Sequence, residues 1–158
     1  MTGVQTCALP ISFNAYGSRD YFDEATSHVI PALMKRVLDG DDPVVIWGSG
    51  NQSRAFVHAR DIARGMMLIA EKAPRGVPIN IGHDQEITIK DLFQMICKIA
   101  GKQPKAFYDI SKPDGYFRRS ADVTLLKQTT GFVPSISLEQ GIREMMESKS
   151  RGLALSHF

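Results

Sequence analysis

Apolar side chains recur at helical spacing in four stretches of this chain, and between them lie short apolar runs bounded by glycine, proline and small polar residues. Ile30, Leu33, Met34, Val37 and Leu38 mark a first helix. Ser27 is placed to cap it, Pro31 falls in its first turn where a missing amide hydrogen is tolerated, and Gly40 ends it. Ile62, Met66 and Ile69 line one side of a second helix over about residues 61–72, with Asp61 near its start. Leu92, Phe93, Ile96, Cys97 and Ile99 form the packed face of a third, entered through Thr88 and Asp91 in an approximate capping box and closed by Gly101. Ser137 and Gln140 repeat that arrangement ahead of Ile142, Met145 and Met146, and Asp122 is placed to cap a short helix through Leu126. Residues 43–47, 56–57, 78–82 and 106–110 read as strands or extended pieces, residues 112–119 as a polar loop, and the stretch after Ser148 shows no packing pattern. Strand and helix alternate, which predicts an α/β fold.

Composition narrows the partners. A chain of 158 residues with 43% hydrophobic content suits one ordinary domain. Its 19 Lys and Arg against 17 Asp and Glu leave a net charge of +2, with no basic run interleaved with aromatics, so nucleic acid is not an expected partner. Cys7 and Cys97 lie far apart, and Cys97 falls among apolar helix positions, which predicts a reduced core thiol and a cytoplasmic protein. No apolar run approaches the roughly 20 residues that cross a bilayer, and no export signal opens the chain. No His, Cys and carboxylate spacing suggests a metal. The G-x-G-x-x-G loop that receives a dinucleotide's pyrophosphate at a helix start is absent. Met1 to Ile11 has neither hydrophobic period nor capping pattern and receives no structural assignment.

Four motifs stand in a telling order: Asn14-Ala15-Tyr16-Gly17, then Ser27-His28-Val29-Ile30-Pro31-Ala32-Leu33, then Trp47-Gly48-Ser49-Gly50 with Arg54, then Lys112-Pro113-Asp114-Gly115. Together they resemble the extended short-chain dehydrogenase/reductase (NAD-dependent epimerase/dehydratase) family over about residues 14–146. Within it the pattern is nearest to the branch that epimerises and reduces a GDP-linked 4-keto-6-deoxy sugar, and related chemistry on another nucleotide sugar is the runner-up. The resemblance implies an incomplete Rossmann fold plus a sugar-nucleotide-binding domain, with residues 12–147 as the C-terminal, substrate-binding portion and 148–158 as a tail. Residues 1–11 resemble a translated sequencing adapter and are expected to be an artefactual leader. The family's tyrosine and lysine, separated by three residues, should lie upstream of Asn14. Tyr16 is not that tyrosine, since Asp20 stands where the lysine would be. The full-length parent is expected to use NADP or NAD, to take a nucleotide sugar and to be a homodimer, whereas this fragment alone is expected to bind neither cofactor securely and to transfer no hydride.

The resemblance also assigns residues. His28 matches a histidine beside the nicotinamide site that is implicated in proton transfer, a task that suits an imidazole titrating near neutrality. From spacing alone it reads as a helix-start cap or surface group. Asn14 and Ala15 match the segment passing close to the cofactor, although an Asn there also suits a turn. Arg36 and Arg54 match positions on the diphosphate side of the substrate, where a guanidinium fork meets two phosphate oxygens, and Arg36 reads equally as a solvated helix residue. Trp47 matches a residue lining the nucleotide pocket, against the plain reading of a core aromatic. Lys112 and Asp114 sit in a Pro-Gly loop that resembles the stretch closing over base or ribose, and Asp114 could accept from a guanine edge or a hydroxyl. Ala59-Arg60 departs from the family's usual Val-Asp, and Asp61 remains available as a helix cap. A stand-alone sugar-nucleotide-binding module is the alternative of a different class; its difficulty is the unpaired sheet edge that a partial sheet exposes.

Overall fold

Fourteen elements follow one another in the computed structural model, which describes residues 9–23 and 26–152. They are β1 (Leu9–Ser12), β2 (Ala15–Tyr16), α1 (Val29–Asp39), β3 (Val44–Trp47), β4 (Ser53–Ala55), β5 (Val57–His58), α2 (Ala59–Lys72), β6 (Pro78–Ile81), β7 (Glu86–Thr88), α3 (Ile89–Ala100), β8 (Ala106–Asp109), β9 (Arg118–Arg119), α4 (Thr124–Thr130) and α5 (Leu138–Ser150). Parallel pairing dominates. β1 runs beside β6, β2 beside β5 and β3 beside β8, while β4 sits between antiparallel β7 and parallel β9. Parallel neighbours need crossover connections, which the helices provide, and the α/β expectation holds. None of the described helices is long and apolar enough to cross a membrane.

Two cores organise the molecule. In the larger, Leu33, Met34 and Val37 of α1 meet Leu92 and Ile96 of α3, Ile142 and Met145 of α5, and Val44 and Ile46 of β3. The smaller gathers Ile62 and Ile69 of α2 with Ile79 and Ile81 of β6, Leu126 of α4 and Phe132. Cys97 is a buried free thiol whose pKa burial raises, as the core assignment requires; Cys7 lies outside the described residues.

The helix starts differ in part from expectation. Thr88 and Ser137 cap α3 and α5 as predicted, accepting from the amides of Asp91 at 3.0 Å and Gln140 at 3.2 Å. Ser27, however, does not cap α1: His28 occupies the cap without a side-chain bond, because the helix starts one residue later than the Ser27 reading requires. Asp61 does not cap α2 either. His58 does, its Nδ1 accepting from the Arg60 amide at 3.2 Å, since Asp61 already lies inside the first turn. Asp122 performs its expected bond, accepting from the Thr124 amide at 2.9 Å, but α4 continues past Leu126 to Thr130.

Local pattern also misplaces a few strands and faces. Phe56 falls between β4 and β5 rather than within one extended piece, and the polar loop contains β9. Met66 is 40% exposed; its place against β6 is taken by Gly65, where an added Cβ would stand 3.1 Å from the Ile81 side chain. Leu9–Ile11, which carry no periodic signal, pair in parallel with Pro78–Asn80, a tertiary contact that three residues cannot announce. Residues 1–8, the rest of the expected leader, lie outside the described residues, and α5 extends two residues beyond Ser148.

One buried carboxylate ties α2 to the chain before α5. Asp61 is 1% exposed and accepts from Arg64 Nη2 at 2.8 Å, Ser135 Oγ at 2.8 Å, and the amides of Ser135 at 2.9 Å and Ile136 at 3.0 Å. Burial alone would raise its pKa, but the Arg64, Ile136 and Ser135 donors outweigh that and hold it below the usual carboxylate range. The folded pKa is thus depressed, so this stabilisation is complete above the unfolded value of about 3.9 and is lost as pH falls through the folded value. Asp61→Ala strands these donors and should lower the unfolding free energy by about 3 kcal/mol at neutral pH. Urea unfolding followed by far-UV circular dichroism checks this; an unchanged midpoint at neutral pH would remove Asp61 from its structural role.

Candidate functional site

The start of α1 forms a wall between two cavities, with His28 lining one and its neighbours Ser27 and Val29 lining the other. The first, of about 620 Å³, is bordered by Ala15, His28, Asp20, His58, Arg60 and Glu144 among others. His28 Nδ1 lies 3.3 Å from Asp20 Oδ1 and the imidazole is 77% exposed, so one ring nitrogen is oriented by a carboxylate and the ring is open to a ligand. At the back of this cavity stand Tyr16 and His58, edge to face with ring centroids 5.3 Å apart. Tyr16 OH donates to the Ser137 carbonyl at 3.4 Å, and burial, then the Asp61 and Glu144 charges, push its pKa far up. Tyr16 is therefore a packed, protonated phenol rather than an acid poised for catalysis. α5 can approach it only because residue 141 is glycine: an added Cβ would stand 2.6 Å from Tyr16 Cε2.

The second cavity, of about 380 Å³, brings together Arg36, Trp47, Arg54 and Asp114, four of the residues singled out from the sequence. The size suits a small-molecule site. Trp47 ends β3 with 57% of its surface exposed, so it is a wall of this cavity and not core. Arg54 Nη1 donates to the carbonyls of Ser53 and Tyr116, each at 2.7 Å, and no ion pair to it is found among the described residues. Burial, then repulsion from Arg119, lowers its pKa. A cation held by carbonyls beside a second cation favours an anion. Arg36 Nη1 donates to the Val45 carbonyl.

Asp114, on the lining of this cavity, ties its loop to the turn at Ser49. It accepts from the Ser49 amide at 2.6 Å and from Ser49 Oγ at 3.2 Å. Gly48 makes the approach feasible, with φ at +76° and the Asp114 Cα only 3.0 Å from where a Cβ would stand. Of the other predicted residues, Ala15 lines the first cavity, while Asn14 and Lys112 border neither. Asn14 sits at φ +43° and its amide donates to the Ala55 carbonyl at 2.9 Å, which is the turn reading. Lys112 Nζ lies 5.9 Å from the centre of the Trp47 ring. Sequence reasoning missed the Tyr16, His58 and Glu144 wall, whose members come together across more than a hundred residues without a shared period.

Comparison with known proteins adds a lineage. The model of the "NAD dependent epimerase/dehydratase family" matches residues 3–82, 80 of the 158 residues. The chain is 39% identical over 142 residues to the GDP-L-fucose synthase of Escherichia coli K12, covering 82% of this chain and 44% of that protein. It is 35% identical over 135 residues to GDP-L-fucose synthase 1 of Arabidopsis thaliana, covering 83% of this chain and 42% of that protein. Among solved structures, UDP-glucuronic acid 4-epimerase from Bacillus cereus in complex with UDP-glucuronic acid and NAD superposes with a TM-score of 0.80 at 27% identity, covering 92% of this chain and 46% of that one. The fold is thus Rossmann-like α/β of the extended short-chain dehydrogenase type, and the chain spans less than half the length of each of these three relatives.

His58 gives the first cavity a pH signature. Its Nδ1 accepts from the Arg60 amide, which requires the proton of the neutral ring to sit on Nε2. Burial, then the Arg60 charge, lowers its pKa, against weaker opposition from Glu144 and Asp61. Because the folded pKa is depressed, the stability that neutral His58 supplies is complete above its unfolded value of about 6.5 and is lost as pH falls through the folded one. The wild-type urea midpoint should therefore fall between about pH 7.5 and about pH 5, and His58→Asn, which keeps a capping acceptor, should show a shallower decline. Parallel pH profiles for the two proteins would assign the decline to other groups.

Proposed function

Because the chain belongs to the NAD dependent epimerase/dehydratase family, we propose that it forms the nucleotide-sugar-binding wall of an NAD(P)-dependent epimerase/reductase acting on a GDP-linked 4-keto-6-deoxy sugar, in the manner of GDP-L-fucose synthase. One observation carries this reading: Arg36, Trp47, Arg54 and Asp114 converge on one cavity while His28, three residues before Pro31 on the dividing wall, opens on the other. The two guanidiniums receive the diphosphate, Trp47 and the apolar wall receive the nucleoside, and the loop of Lys112 and Asp114 covers it. The sugar then extends past the start of α1 to His28. Carbons flanking a ketone lose protons readily, and an imidazole oriented through Nδ1 by Asp20 exchanges them through Nε2.

NAD(P) supplies hydride when bound, but this chain's residues do not make its phosphate cradle. Gly48-Ser49-Gly50 is followed by Ser53 in place of a third glycine, and it leads into β4 rather than a helix. Ala15 and His28, both lining the first cavity, would face the nicotinamide end of such a cofactor, with Asn14 holding the turn before Ala15. Hydride transfer, and the homodimer expected of the whole enzyme, belong to residues beyond those that shape these cavities.

The family relatives at 35% and 39% identity are named for GDP sugars, which favours guanine. A UDP sugar is the second reading, favoured by the superposition on a UDP-sugar epimerase. Calorimetric titration of the chain with GDP and with UDP separates them. GDP should bind at least about tenfold more tightly, and Arg54→Met should weaken it by about tenfold or more, the worth of a lost charge-assisted contact. Tighter UDP binding would replace the guanine assignment, and absence of binding by either nucleotide to the folded chain would overturn the site.

A further inference from the structure

One carboxylate fastens the three-stranded sheet of β7, β4 and β9 from the face turned away from the Arg54 cavity. Glu86 of β7 accepts on Oε1 from Arg118 of β9, through Nε at 2.7 Å and Nη2 at 2.5 Å, and on Oε2 from Ser53 Oγ of β4 at 2.7 Å. Its side chain is 20% exposed, and Arg118, then Ser53, holds the carboxyl down to about 2, so it stays charged. Successive strand residues point to opposite faces, which sets Ser53 and Arg118 on one side of the sheet and Arg54 and Arg119 on the other. Arg54 lines the cavity, whereas Glu86 and Arg118 do not border it.

β9 is only two residues long, and its register places Arg119 opposite Arg54, where like charges oppose the pairing. Glu86 supplies the missing opposite charge. The residues that enter β9 reach Arg54 in turn: Phe117 accepts from the Ser53 amide at 2.8 Å, and the Tyr116 carbonyl accepts from Arg54 Nη1 at 2.7 Å. Nη1 also donates to the Ser53 carbonyl, so both of its hydrogens are committed to backbone, and no further partner of this side chain is found among the described residues. Nε and Nη2, one edge of the fork, are left for a ligand. We propose that Glu86 is a positioning residue for Arg54: by holding Arg118 it fixes residues 116–118, and through the Tyr116 carbonyl it fixes which edge of the guanidinium is offered to a diphosphate. This inference rests on the nucleotide-sugar reading of the cavity and goes beyond it by assigning a residue that touches no ligand.

The sign of one measurement separates position from charge. Removing a carboxylate near a phosphate site strengthens anion binding if the group acts only through its field, and weakens it if the group holds the cation in place. Trp47 is the single tryptophan of the chain and a wall of the cavity, so its fluorescence follows a titration of the whole chain with GDP. Wild type, Glu86→Gln, Arg54→Met and the double variant are compared, with urea midpoints showing that each folds. The amide of Glu86→Gln keeps the shape but sets a donor against either Arg118 or Ser53. It should weaken GDP by about fivefold in the wild-type background and change it by less than about 1.5-fold in Arg54→Met, because the two residues act as one unit. Ser53→Ala, which frees one carboxylate oxygen without altering charge, should give a smaller loss in the same sense. Unchanged or tighter GDP binding by folded Glu86→Gln would overturn the proposal, leaving Glu86 a stabilising ion pair or a distant charge. A fivefold loss that persists in Arg54→Met would also overturn it, since Glu86 would then act on the site by another route. Absence of GDP binding by the wild type would instead sink the nucleotide-sugar reading itself, and with it this inference.

Discussion

The Asp61 carboxylate is the joint on which the two cores meet. α2 belongs to the smaller core and α5 to the larger, and this buried side chain links them by taking the amides of Ser135 and Ile136 just ahead of α5. A buried charge is tolerable only with full compensation, and four donors provide it. Once that joint is made, α5 is aimed so that Gly141 lies against Tyr16 and Glu144 reaches Arg60. The back wall of the first cavity is therefore a consequence of a bond made some distance from its opening.

The two cavities differ in kind, and the difference follows from what lines them. Around His28 the groups are titratable and paired: Asp20 with His28, and Glu144 with Arg60. Around Arg54 they are apolar surfaces and guanidiniums for which the described residues show no ion pair, an arrangement that suits an anion with an apolar part. The start of α1 stands between them, with His28 on one cavity and Ser27 and Val29 on the other.

Much of this was legible in the residues, for reasons that can be named. The helices announce themselves because Leu33, Met34 and Val37, or Leu92, Phe93 and Ile96, repeat with the period of the helix, and because Thr88 and Ser137 satisfy amides only a few positions away. Arg36, Trp47, Arg54 and Asp114 were legible as a group through motif order, which carries spatial information that no local pattern holds. What stayed hidden is tertiary in origin. The β1 and β6 pairing joins short runs about 70 residues apart, Asp61 finds its partners 74 and 75 residues later, and His58 takes the cap that Asp61 seemed to offer. Ser27 reads as a cap by its chemistry, yet α1 begins at Val29 and His28 takes the cap, a shift of one residue that the local pattern does not record.

The bonds from Ser49 to Asp114 mean that the loop beside the cavity is already in place before any ligand arrives. Its ordering entropy is met within the protein, so association draws less on contact energy than it would with a loose flap. It also makes residues 48 and 114 a single unit of variation: with the Asp114 backbone standing 3.0 Å from the position of a Cβ, a side chain at 48 is compatible only with a loop that lies elsewhere. A side chain at position 48 would therefore displace the loop beside the cavity and, through the Tyr116 carbonyl that Arg54 holds, disturb that guanidinium as well.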